Sequence, residues 1–277
     1  MTSEYVTSSI QNHIATLTLS NPPTHTINAA GSQALFQELE GLANNRDVRV
    51  IVLTGASEDI FVRHYEVGEL AVSSERLVGG EVLTPKPSSS QTPRRVGGLA
   101  GAMRLLEGMD AITIAAINGM AMGGGLELAL SCDFRLAREG AFNLGLPETG
   151  VGILPGGGGT QRLARLIGVG KTLDLILHGQ IMQPETALEH GIVSRVFSND
   201  LQTYRSEVDS FAANLAQRAP RALANSKRAI REGIELPLSE GLRRESELFR
   251  ELMGTEDAAL ALRAAFEGKP RPEFKGQ

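Results

Sequence analysis

The stretch "AINGMAMGGGLELALSCDFRLA" (Ala116 to Ala137) places three glycines, Gly123 to Gly125, between an apolar run and a single carboxylate, Glu127. At the start of a helix the backbone N–H groups lack partners within the helix, and the helix dipole favours negative charge there. Without side chains in the way, a carbonyl oxygen can reach those N–H groups. The chemistry this allows is stabilisation of an oxyanion, where one donor is worth about 3–4 kcal/mol of barrier. Glu127, in the first turn, suits acid–base work beside such a hole; it suits equally well a simple charge–dipole interaction. A second carboxylate, Glu148, is the one charged side chain between Ala141 and Thr160. Apolar surroundings raise a carboxyl's proton affinity, which serves proton transfer near neutral pH. A surface turn residue would show the same pattern.

These residues need elements to position them. "HIATLTLSNPP" (His13 to Pro23) alternates as a strand, and "NAAGSQALFQELEGLANN" has Leu35, Leu39 and Leu42 at helical spacing. "VRVIVLTG" (Val48 to Gly55), "ITIAAING" (Ile112 to Gly119) and "FRLA" (Phe134 to Ala137) read as short buried strands. Strands alternating with helices give an α/β class, with spacing too uneven for a Rossmann unit or a regular βα barrel. The glycines then fall at a strand-to-helix turn. "PGGGGTQRLARLIG" is another glycine-rich approach to a helix, fit for an anion or for close passage of a loop. "GGEVLTPKPSSSQTPRRVGG" (Gly79 to Gly98) is a long loop rich in Pro, Ser and Gly. From Asn199 on, four successive stretches read as helices. The expected division is therefore a core over 1–199 and a helical region over 200–277.

Composition removes several classes. The net charge of -5 argues against a nucleic-acid footprint. One cysteine, Cys132, excludes an internal disulfide and a multi-cysteine zinc site, and its expected role is a buried small residue. The five histidines show no metal-binding spacing, so no metal is expected. "GVGKT" (Gly168 to Thr172) has Arg165 where a phosphate loop needs its first glycine. No secretory signal and no apolar run of membrane-spanning length is visible, so the expectation is a cytoplasmic protein that does not enter a membrane.

Taken together, "AINGMAMGGGLELALSCDFRLA", "LGLPETGVGILPGGGGTQRLARLIG" and "GIVSRV" resemble the crotonase superfamily, the enoyl-CoA hydratase/isomerase fold, and the likeness runs from "LTLSNPP" to "AAFEGKPRPEFKG". The resemblance implies a spiral of ββα units with a helical C-terminal trimerisation region, the trimers often pairing into hexamers. It implies an acyl-thioester of coenzyme A as substrate, with coenzyme A arriving as part of that substrate and no separate cofactor. By position, Tyr65 and Gly124 match the two backbone N–H donors of the oxyanion hole. Glu127 and Glu148 match the two glutamates that hold a water, one helping hydroxide onto the β-carbon and the other supplying the proton at the α-carbon. Phe266 and Lys269 match positions that touch coenzyme A across a subunit boundary. The expected activity is an enoyl-CoA hydratase-like lyase. The alternatives are isomerisation, or C–C hydrolysis of a β-diketone without coenzyme A. A non-catalytic oligomeric scaffold, binding RNA as a few relatives do, is disfavoured by the two retained glutamates and the acidic balance.

The chain departs from the family pattern in the first oxyanion segment, which usually reads like FxAGAD. Here it is "FVRHYEVGEL": Phe61 aligns, Arg63, His64 and Tyr65 replace small residues, and Glu66 replaces the Asp. His64 in place of glycine is expected to strain the backbone. His64 is also a candidate extra acid–base group, and Tyr65 a candidate donor to substrate; both side chains otherwise only reshape the wall. Thr24 and His25 stand where relatives often carry Lys or Arg for nucleotide phosphates. Lys86, Arg94 and Arg95 in the long loop are candidates for phosphates or a substrate carboxylate, or are simply solvated.

Overall fold

The computed structural model describes residues 4–81 and 97–277; Lys86, Arg94 and Arg95 lie outside the described residues. The chain opens with the hairpin β1 (Val6–Gln11) and β2 (Ile14–Leu19) and continues into helix α1 (Ala29–Ala43). Asn28 caps that helix by accepting the Gly31 N–H at 2.7 Å. Each following turn of chain lays one strand in a large sheet and one in a small sheet, then adds helix. β3 (Val50–Gly55) and β4 (Ile60–Val62) lead to α2 (Val67–Val78) and α3 (Gly98–Gly108). β5 (Ile112–Ile117) and β6 (Met120–Met122) lead to α4 (Gly124–Leu130). β7 (Phe134–Arg138) and β8 (Leu144–Gly145) lead to a 3-10 turn (Glu148–Val151), α5 (Gly159–Ile167) and α6 (Val169–Leu177). β9 (Ile181–Met182), α7 (Pro184–Glu189) and β10 (Arg195–Phe197) complete the spiral.

The large sheet runs β1-β2-β3-β5-β7-β10 and is parallel beyond the opening hairpin; the small one runs β4-β6-β8-β9, with only its last pair antiparallel. β3 and β5 lie in the middle of the large sheet and need apolar residues on both faces, which is why they read as continuous apolar runs. One face, with Leu17, Ile51, Leu53, Ala115 and Ile117, packs with Leu35 and Leu39 of α1 and Met103 and Leu106 of α3. The opposite face, with Val50, Val52, Ile114 and Leu136, is covered by Tyr204, Val208 and Ala212 of α8 (Leu201–Ala216). The Tyr204 hydroxyl donates to the Leu136 carbonyl at 2.9 Å, so its burial leaves no donor unpaired.

After α8 come α9 (Pro220–Gly233), α10 (Leu238–Met253) and α11 (Glu256–Phe266), in the region read as helical. α9 is pinned by buried Lys227, whose ammonium lies 2.8 Å from Asp133 and donates to the Leu106 and Ala111 carbonyls. α10 and α11 leave Phe249, Leu260 and Phe266 exposed. Cys132 is buried; burial, then the Asp133 charge, pushes its thiol up to about 12. Among the described residues no helix is long and apolar enough to cross a membrane.

Candidate active site

Gly123 caps α4 with φ +48°, a left-handed conformation that favours glycine, and its N–H donates to the Gly145 carbonyl at 2.9 Å. The small sheet thus fixes the direction in which α4 begins. A Cβ on Gly123 would lie 3.1 Å from Glu148 Oε1 and 3.8 Å from the His64 Cβ. A Cβ on Gly124 would lie 3.2 Å from the Tyr65 Cβ and 3.4 Å from the Tyr65 nitrogen. At Gly125 it would run into the Val62 carbonyl. The glycine run therefore lets the start of α4 press against residues 62–65. It brings Gly124, Tyr65, His64 and Glu148 into one place.

Backbone pairing with residues 25–27 holds the opposing segment. Arg63 N–H donates to His25 O, Ile27 N–H to His64 O, and Glu66 N–H to Ile27 O, each at 2.9 Å. This isolated parallel bridge, Ile27 to Tyr65, uses the groups on either side of Tyr65. Among the described residues the Tyr65 and Gly124 N–H groups have no hydrogen-bond acceptor. His64 does not carry the backbone strain expected of it. Among the described residues the non-glycine positions with positive φ are Asn12, His13 and His25, so His64 stays out of the left-handed region, beside the bridge.

The side chains of this segment have protein partners. The Tyr65 hydroxyl donates to Glu69 at 2.8 Å, and Glu69 also accepts the Ala29 N–H at the start of α1 at 3.0 Å. Burial, then Glu69, pushes the phenol up to about 12, so the hydroxyl stays protonated as a structural tie. Glu66 caps α2, accepting the Gly68 N–H at 3.2 Å and the Thr26 hydroxyl at 2.8 Å, and the Thr26 bond, followed by the Gly68 bond, holds its carboxyl below the usual range. His64 Nδ1 lies 2.8 Å from the Tyr65 carbonyl. A carbonyl only accepts, so Nδ1 carries the hydrogen. Thr24 spends its hydroxyl on Asn21 O at 3.2 Å and shares a hydrogen bond with Thr26 Oγ1 at 2.9 Å.

Glu127 is 3% exposed, and its Oε1 accepts the Gly159 N–H at 2.7 Å. A Cβ on Gly157 or Gly159 would crowd its carboxylate, so the second glycine-rich stretch serves as its cradle. Burial raises the Glu127 proton affinity; the Gly159 and Gly157 N–H groups and then Arg162 oppose that rise. Glu148, in the 3-10 turn, has Oε2 buried with no hydrogen-bond partner, and burial foremost, with the Glu127 charge adding, pushes its carboxyl up to about 7. The arrangement sets two charge-coupled carboxyls, one of them with a raised proton affinity, near two backbone N–H donors.

Phe266 and Lys269 are not gathered into this place within the chain. Phe266 is 86% exposed, and the Lys269 ammonium pairs with Glu267 at 2.7 Å. One site residue was not singled out from the sequence. Arg162 donates to the Gly157 carbonyl at 2.6 Å, inside the Glu127 cradle. Its signal was present as the one charge in the first turn of α5.

Residues 9–277 match the enoyl-CoA hydratase/isomerase family. The chain is 34% identical to the short-chain-enoyl-CoA hydratase of Clostridium acetobutylicum, covering 95% of each. It is 34% identical to the 2,3-dehydroadipyl-CoA hydratase of Escherichia coli, over 96% of this chain and 97% of that one. The crystal structure of an enoyl-CoA hydratase from Bacillus anthracis superposes with a TM-score of 0.85 at 32% identity, over 99% of this chain and all of the other. With hydratases matching it over nearly its whole length in sequence and in fold, the chain is an enzyme of the enoyl-CoA hydratase/isomerase family, the crotonase superfamily.

Proposed function

We propose that the protein adds water across the double bond of an enoyl-CoA thioester, with Glu127 as base, Glu148 as acid, and the Tyr65 and Gly124 N–H groups as oxyanion hole. The observation that carries this reading is the meeting of Glu148, the Gly124 turn and the Tyr65 backbone around Gly123, with Glu127 charge-coupled to Glu148. Water held between the carboxyls gives a proton to Glu127 while its oxygen bonds to the β-carbon. The displaced π electrons move to the thioester oxygen, which the two N–H groups stabilise. The enolate then returns its electrons to the α-carbon, which takes the proton from Glu148. Proton exchange between the carboxyls restores the starting state. The role split follows from surroundings: Glu127 has N–H donors that favour its anion, whereas Glu148 has a buried, unpartnered oxygen that favours its neutral form.

Glu148→Gln is expected to lower kcat by about 10²–10⁴ in a spectrophotometric assay of enoyl-CoA hydration while leaving the oligomer intact. Wild-type-like turnover in that variant defeats the two-glutamate mechanism. The wild-type kcat/KM is expected to fall as pH rises through about 7, because Glu148 then loses the proton it must deliver.

The same reading includes a homotrimer, alone or paired into a hexamer, in which Phe266 and Lys269 of one subunit meet the coenzyme A bound to the next. The exposed Phe249, Leu260, Leu262 and Phe266 supply apolar surface for such contacts. A fully active monomer in light scattering would exclude it.

A further inference from the structure

We propose that Arg162 is a positioning residue for Glu127: it grips the carbonyl of Gly157 and so orients the glycine N–H groups that receive the Glu127 carboxylate. The grip is itself clamped. Arg162 Nε and Nη2 donate to the two oxygens of Glu107 at 2.6 and 3.0 Å, a two-pronged pair that fixes the guanidinium plane. The remaining edge donates from Nη1 to the Gly157 carbonyl at 2.6 Å, and the same nitrogen fills the space over Gly158, where a Cβ would collide with it. Gly158 has φ +100°, a turn that swings the chain from one cradle glycine to the next. The loop that carries the Gly157 and Gly159 N–H groups is thus closed around a planar cation. A flexible ammonium would not hold it the same way.

The charges facing these groups are few. Glu127 is faced by Arg162 from α5 and Glu148 from the 3-10 turn. Glu107 of α3 is faced by Arg162 and, at 3.9 Å, by Arg231 of α9, which also holds Asp133 at 2.9 Å. Arg162 therefore joins the Glu127 cradle to a salt-bridge chain that ends on α9. Its charge also favours ionised Glu127, so its removal raises the pH at which that carboxyl becomes a base.

This inference rests on the acid–base roles proposed above, and its test separates the two. Arg162→Gln and Arg162→Lys are compared with wild type by kcat across pH and by the ¹³C titration of the Glu127 carboxyl, with Glu127→Gln identifying the signal. Arg162→Gln is expected to lower kcat by about ten- to a hundred-fold and to move the acid limb and the ¹³C midpoint to higher pH. Arg162→Lys keeps the midpoint close to wild type and still loses rate, because the charge remains without the two-pronged grip. If Arg162→Gln does not fold, Glu107→Gln takes its place; releasing the clamp is expected to lower kcat while thermal stability falls only slightly. An unmoved midpoint with unchanged kcat, or a loss confined to thermal stability, overturns the proposal. A moved midpoint in a protein that hydrates no enoyl-CoA upholds the positioning role and defeats the hydratase reading.

Discussion

The two halves of the proposed oxyanion hole reach the same end by opposite means. At Gly123–Gly125 the backbone comes close because side chains are absent; a Cβ at any of the three meets His64, Tyr65, Glu148 or the Val62 carbonyl. At Arg63–Glu66 every residue is large, and the backbone is held by its bridge to Ile27 and by side-chain ties from Tyr65 to Glu69 and from Glu66 to Thr26. What the hole requires is an N–H in the right place. Glycine is one route to it, and a short strand pairing with anchored side chains is another. The second half can therefore change its side chains, and with them the wall facing the substrate, without giving up its donor.

The sharpest way to break this comparison is Gly125→Ala. Its Cβ meets a backbone carbonyl that no side-chain rotation can move, so stability is expected to fall by about 1–3 kcal/mol and kcat by roughly a hundredfold. Denaturant unfolding and turnover measure both. Unchanged values would mean that the glycine run is not the close-approach half. A smaller effect is expected of Tyr65→Phe, which removes only the hydroxyl tie to Glu69 and costs about 1 kcal/mol. Its kcat should stay within a few-fold of wild type, since the backbone donor remains; a loss as large as that of Gly125→Ala would place the hydroxyl itself in the chemistry. The smallest effect belongs to His64→Gly. With no left-handed strain to relieve, the glycine should cost about 0.5–1 kcal/mol through backbone entropy. A gain in stability in the same unfolding assay would show that His64 is strained after all.

Much of the candidate site was legible because its signals are local. Three glycines before a helix announce a turn with open N–H groups, and Glu148 is conspicuous as a lone charge in twenty residues. The central strands β3 and β5 were legible because burial on both faces demands continuous apolar runs. What escaped depends on distant partners or on very short elements. β4, β6, β8 and β9 have two or three residues each, too few for alternation to register. β1 buries only Val6 and therefore reads as polar chain. The backbone of His64 was misjudged because its conformation is set by Ile27, 37 positions away in sequence. Arg162 escaped for the same reason: its meaning comes from Glu107, 55 positions earlier.

Buried Cys132 has a practical consequence for all these measurements. It is the chain's one cysteine, and with its thiol held up to about 12 it carries almost no thiolate at neutral pH. A maleimide fluorophore or spin label would pass it by. The unaltered sequence is thus ready for single-site labelling: a cysteine introduced at exposed Phe266 would report the environment of α11 with no background to remove first.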